Sequence, residues 1–282
     1  MGRIENVWTF YENTVKIIYN RKNVANDFLE QAITNMLLEK ELGQEFLINE
    51  QIYEMILYHN SGYTDRELRQ NSAKMQEQEK LANMLQREYN CLSLQQIENK
   101  ELQKVIDSFS QLKNILRTGW IKRNVPLEYQ ETDTEHTMQM SSLATSLFNE
   151  YPDLQLDRKK IHEMILIHEI GEKEAGDIRE GTSEHQTKHA LEEQAVINVF
   201  KNIKSGDYFI GLWEEFEERK TEEAMFTYQL DKIDPVLKAK ILDKELKRDD
   251  LFLDFFNYEE KRQTFKEGKV KELFYYIKGR RI

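Results

Sequence analysis

Apolar residues return every three or four positions along most of this chain, the signature of helices that bury one face. The spacing predicts helices over residues 24–38 and 48–57, with a turn at Asn60-Ser61-Gly62. From Arg66 to Lys104 the pattern turns polar and leaves a thin stripe of Leu81, Met84 and Leu85, as in a long solvated helix or helical hairpin. The second half is better punctuated. Thr132-Asp133-Thr134-Glu135 has the spacing of a capping box and starts a helix that runs to about residue 149, where Tyr151-Pro152-Asp153 ends it. Further helices are predicted from about residue 157 to 170, stopping near Gly171, and over 183–201, 208–218 and 222–233, the last broken or kinked by Pro235. Phe252, Phe255, Phe256, Phe274 and Tyr275 belong to a helical remainder that supplies packing.

Three prolines and 32 % charged residues in 282 positions favour long helices, so the expected fold is all-α. The change in pattern divides the chain into a helical region, 1–105, and a second unit, 106–282. Two readings of the first region stand side by side. It is a scaffold or dimerisation element, or it is a degenerate copy of the second unit. The second reading rests on Ile52-Tyr53-Glu54-Met55-Ile56-Leu57-Tyr58-His59, which matches Ile161 to His168 at six of eight positions with an offset of 109. In that copy Asn60 and Ser61 replace carboxylates, and Asp27 stands where His136 would be.

A formal charge of -11 argues against a nucleic-acid polymer as partner, because a phosphate backbone needs clustered Lys and Arg. A small anionic substrate is compatible, since a few local cations can hold it inside an acidic protein. Cys91 is the only cysteine, which excludes an intramolecular disulfide and suits a reducing cytosol. The start, Met1-Gly2-Arg3-Ile4-Glu5-Asn6, reads neither as a signal peptide nor as a myristoylation signal. No apolar stretch approaches the roughly 20 residues of a membrane span. The expectation is a soluble cytoplasmic protein.

The candidate chemistry lies in the second unit. His136, Met140, Leu143 and Leu147 stand at i, i+4, i+7 and i+11, which puts the histidine on a buried stripe. His168 continues the stripe of Ile161, Met164 and Ile165, and Glu172 sits one turn further along the same face. Asp231 follows Ala224 and Tyr228 at i+7 and i+3, again inward. A lone inward histidine is usually a hydrogen-bonded core residue. Three inward ionisable groups on three helices instead point to a divalent cation, which offsets the cost of burying their charge. Mixed imidazole and carboxylate ligands suit Mn, Fe, Co, Ni or Zn. His168-Glu169-Ile170-Gly171-Glu172 lacks the closing histidine of H-E-x-x-H, so a zincin protease is excluded. No Cys-x-x-Cys site, phosphate loop or dinucleotide turn occurs.

These residues resemble the HD-domain metal-dependent phosphohydrolases, most closely the 5′-deoxynucleotidase branch. The likeness runs from about Leu112 to Ala239 and includes Arg117-Thr118-Gly119-Trp120, Glu135-His136, His168-Glu169, Glu172, Gly176-Asp177-Ile178, Lys188-His189, Leu212-Trp213-Glu214-Glu215 and Gln229-Leu230-Asp231-Lys232. The resemblance implies an HD-domain helical bundle holding one divalent ion (Mn, Co, Fe, Ni, Zn or Mg) on His136, His168, Glu169 and Asp231. It makes Glu172 and Asp177 the catalytic carboxylates, and Arg117 the phosphate ligand with Trp120 walling the nucleotide. Lys122, Arg123 and His189 are candidates for added potential or indirect support. One departure is specific: the family's His-Asp pair reads His168-Glu169 here, so the carboxylate approaches from one methylene further out. The implied function is hydrolysis of a nucleoside or deoxynucleoside 5′-monophosphate by a homodimer. The alternative is a catalytically impaired relative that acts as a regulatory or nucleotide-binding partner.

Overall fold

The computed structural model describes residues 2–20, 23–42, 99–175 and 185–279. Expectations for residues 48–57, for the turn at Asn60-Ser61-Gly62, for the polar stretch up to residue 98 and for the repeated octapeptide lie outside the described residues. Among those described, every regular element is a helix, and the only strand-like feature is an isolated antiparallel bridge between Leu116 and Thr132. In chain order these are α1 (Arg3–Asn20), α2 (Asn23–Leu42), α3 (Lys100–Phe109), α4 (Thr118–Ile121), α5 (Asp133–Glu150) and α6 (Arg158–Ile167). They continue as α7 (Glu172–Ala175), α8 (His185–Phe200), α9 (Gly206–Glu218), α10 (Glu222–Leu246), α11 (Leu251–Arg262) and α12 (Gly268–Gly279).

Helix α5 is the axis of the fold. Its start is set locally, as the sequence predicts. Thr132 Oγ1 accepts from the Glu135 N–H at 3.3 Å, and the Glu135 carboxylate takes the Thr132 N–H at 2.9 Å. Its burial goes beyond the predicted single stripe, for all residues from Asp133 to Phe148 are buried. The reason is size. Ser141, Ser142 and Thr145 read as a polar face, but they are small enough for α1 and α2 to lie directly over the helix. Ser142 meets Thr14 of α1, oxygen to oxygen, at 2.8 Å.

Two apolar clusters flank this axis. One joins Val7, Trp8, Tyr11 and Val15 of α1 to Leu143, Leu147 and Phe148 of α5 and to the inner faces of α10, α11 and α12. The other joins α2, α3, α8 and α9 to Met138 of α5 and to Met164, Leu166 and Ile167 of α6. Each fully buried Leu, Val or Phe contributes about 1.5–3 kcal/mol, so the helices between the clusters are fixed from both sides. Helices α1 and α2 therefore pack into the same cores as the later helices.

Of the two outcomes expected at Pro235, a break or a kink, the break is absent. Helix α10 continues through Pro235 to Leu246. Proline removes one intrahelical hydrogen bond and strains the turn before it, at a cost of about 3 kcal/mol. Leu230, Ile233, Val236 and Leu237, all buried around that point, keep the segment helical by packing.

Candidate metal centre

His136 lies one turn into α5, and its ring orientation is fixed by a buried carboxylate. Its Nδ1 is 2.7 Å from Asp234 Oδ2, which leaves Nε2 facing Asp231 Oδ1 at 3.2 Å and Glu169 Oε1 at 3.5 Å. His168 caps the C-terminal end of α6. Its Nδ1 donates to the Ile165 carbonyl at 2.7 Å, a bond that puts the lone pair on Nε2. That Nε2 is buried, makes no hydrogen bond among the described residues, and sits 3.2 Å from Glu169 Oε1. The two imidazole centroids are 5.5 Å apart. One ligand atom from each of His136, His168, Glu169 and Asp231 lies within 4.8 Å of the others, and all four residues are buried.

This donor set fits a divalent ion on two counts. First, the His168 Nε2, aimed at a carboxylate, has no hydrogen-bond partner among the described residues. Second, ion pairs tie the carboxylates of Glu131, Asp133, Glu169 and Asp231 to Arg117, Lys232 and Lys238, while Asp234 pairs with His136, so these buried carboxylates outnumber the Lys and Arg cations beside them. The Glu169 side chain, longer than the aspartate of the family pattern, reaches the cluster and also contacts the Arg117 guanidinium.

The titration behaviour follows from the same contacts. Burial works against the charged form of Glu169, but Arg117 and both histidines hold its carboxyl well below the usual range. Burial likewise penalises Asp231, and Lys232, His136 and Arg117 hold it well below its ordinary value. For His136, burial and Arg117 push downward, while Asp234 and Asp231 outweigh them and raise it to about 10. Its Nε2 can carry a proton or a cation, not both.

Arg117 is placed by backbone pairing. Its N–H donates to the Glu131 carbonyl at 3.0 Å and the Asp133 N–H donates to the Ile115 carbonyl at 3.1 Å, which staples the segment before α4 to the start of α5. The guanidinium lies 3.5 Å from Asp231 Oδ1 and 3.7 Å from Glu131 and Asp133. Trp120 borders the same cleft but is buried, with its indole N–H donated to Glu131 at 2.8 Å and its ring tilted on Phe255. The cleft has room for about 200 Å³ and is also bounded by Trp213, Phe216 and Phe255.

Glu172 opens α7 at the edge of this cleft, where Lys188 Nζ donates to it at 2.9 Å. Burial disfavours the charge on Lys188, yet Glu172 and Glu192 raise its pKa and keep it cationic. Asp177 lies outside the described residues. His189 is half exposed and packs edge-on against Trp213, away from the ligand atoms. Lys122 is exposed, while Arg123 pairs with Asp254 at 2.6 Å and covers the Phe255 ring. Sequence patterns gave no role to Glu131, Asp133, Asp234, Lys238 or Tyr11. Asp234 carried a signal, for it stands three residues after Asp231 and so shares its helical face.

Comparison with known proteins places this geometry in context. The sequence profile of the HD domain matches residues 109–273. A Xenopus laevis protein named 5′-deoxynucleotidase HDDC2 is 31 % identical over 163 residues, which cover 56 % of this chain and 77 % of that protein. A Dictyostelium discoideum protein of the same name is 30 % identical over 140 residues, covering 48 % and 73 %. Among solved structures, a conserved hypothetical protein from Pyrococcus furiosus superposes with a TM-score of 0.51 at 22 % identity, over 62 % of this chain and 97 % of that one, a likeness of fold alone. No described helix is long and apolar enough to cross a membrane.

Proposed function

Because this chain belongs to the HD-domain family, in its 5′-deoxynucleotidase branch, we propose that it hydrolyses the phosphate monoester of a nucleoside or deoxynucleoside 5′-monophosphate. It is a metal-dependent phosphohydrolase. The observation that carries the reading is the meeting of His136, His168, Glu169 and Asp231 with ligand atoms within 4.8 Å of one another and His168 Nε2 left without a hydrogen bond.

His136, His168, Glu169 and Asp231 would hold the ion. A divalent cation there lowers the pKa of a water and neutralises phosphoryl charge. The chain's own side chains do the rest. Arg117, beside Glu169 and Asp231, presents N–H groups in the forked geometry that suits phosphate oxygens. Glu172 accepts a proton from the attacking water, with Lys188 holding it in place. Asp177, assigned by resemblance alone, returns a proton to the leaving 5′ oxygen. Phosphorus gains the water oxygen and loses the ester oxygen, so the products are a nucleoside and inorganic phosphate. Trp120 backs the cleft wall on which Phe255 stands, with Trp213 and Phe216 on its other side.

The test is phosphate release from a panel of nucleoside and deoxynucleoside 5′-monophosphates with Mn, Co or Mg. Release that His168→Ala abolishes supports the reading. Nucleotide binding without release under any metal favours a catalytically impaired regulatory relative instead.

A further inference from the structure

Outside the region that matches the HD domain, helix α1 sends one polar atom into the metal centre. Tyr11 is fully buried, and its hydroxyl donates to Asp234 Oδ1 at 2.6 Å. The other oxygen of the same carboxylate, Oδ2, meets His136 Nδ1 at 2.7 Å. His136 Nε2 then faces Asp231 and Glu169. One carboxylate thus spans two groups, each on its own oxygen, and neither oxygen is open to water because Asp234 is 0 % exposed. We propose that Tyr11 is a positioning residue for the metal centre, fixing the Asp234 carboxylate so that His136 offers Nε2 to the ion.

The helix is held in the register this requires. Asn6 donates to Glu150 at 3.0 Å near one end of the α1–α5 contact, and Thr14 meets Ser142 at 2.8 Å near the other. Tyr11 lies between them, its hydroxyl also 3.1 Å from Gln139 Oε1 and from the Asp234 carbonyl. Without the hydroxyl, Oδ1 of a buried carboxylate loses its close donor and the carboxylate is free to rotate. The ring it orients then loses its fixed direction. Asp234 stands one step behind the ligand His136, a kind of partner that changes metal affinity by about 10–100-fold, and Tyr11 acts through it. The inference rests on the metal-centre reading, and it makes residues 109–273 insufficient for a full-affinity site.

The experiment is calorimetric titration of Mn²⁺ into the EDTA-treated, dialysed full chain, comparing wild type, Tyr11→Phe and Thr14→Val. Thr14→Val loosens the same helix without touching Asp234. Tyr11→Phe should weaken Mn²⁺ binding several-fold, up to the roughly tenfold that is the lower end for a direct partner of a ligand, while Thr14→Val keeps the wild-type affinity. Equal affinities for wild type and Tyr11→Phe overturn the proposal, as does a loss in Thr14→Val equal to that in Tyr11→Phe. A wild type that binds no Mn²⁺ overturns the metal reading itself, and this one with it. NMR of the wild type reads the same bond without any variant. A slowly exchanging Tyr11 hydroxyl proton, close to the His136 ring N–H, supports the proposal, and a freely exchanging one contradicts it.

Discussion

His162→Leu should flatten the acid side of the stability profile. His162 sits on α6, six residues before His168, and is 2 % exposed with neither ring nitrogen hydrogen-bonded. Burial, helped by Arg158, lowers its pKa from 6.5 to about 4. Below pH 6.5 the unfolded chain takes up a proton that the folded chain refuses. The stability due to neutral burial is therefore complete above 6.5 and is lost as pH falls toward 4. A shift of about 2.5 units corresponds to about 3 kcal/mol in all, of which about 2 kcal/mol is lost between pH 8 and pH 5. Urea unfolding of wild type and His162→Leu at both pH values, in EDTA, isolates this contribution because every other titrating group is common to the two. The wild type should lose about 2 kcal/mol more than the variant. Parallel losses within about 0.5 kcal/mol would refute the assignment of a neutral, unpartnered imidazole to that position.

Lys238 and Glu131 form a buried pair at 2.7 Å, so Lys238→Met strips the carboxylate of its nearest cation and should cost up to about 3–5 kcal/mol in urea unfolding, with a loss under 1 kcal/mol counting against the pair. Adding Glu131→Gln to that variant should restore part of the loss. Glu169→Gln keeps the size of the side chain and removes its charge, and should weaken Mn²⁺ binding by at least the roughly 10–100-fold that outer partners cost, whereas Glu169→Asp should stay within about tenfold of wild type. Equal affinity in Glu169→Gln and wild type contradicts a ligand role for this residue.

Local signals made parts of this fold readable from the sequence. The box at Thr132 and Glu135 marks the start of α5 because both of its bonds lie within four residues. The stripes that carry His136, His168 and Asp231 point to a common interior because helical period alone decides which face is buried. Packing decided what the sequence hid. Pro235 reads as a break or a kink, yet the apolar residues on both sides of it hold α10 in one helix. Ser141 and Ser142 fall off the apolar stripe of His136, Met140, Leu143 and Leu147, yet they too are buried beneath neighbouring helices. Arg117 reads as a phosphate ligand, while its encirclement by four carboxylates depends on the bridge between residues 116 and 132, which no spacing rule anticipates. Tyr11 looks like any core aromatic until its hydroxyl is found 223 positions away on Asp234.

Crystals grown with Mn²⁺ and measured at the manganese absorption edge test the central claim most directly. The account predicts one anomalous peak within about 2.0–2.3 Å of His136 Nε2, His168 Nε2 and a carboxylate oxygen from each of Glu169 and Asp231. A peak bound elsewhere, or none among these four side chains at millimolar Mn²⁺, would contradict it.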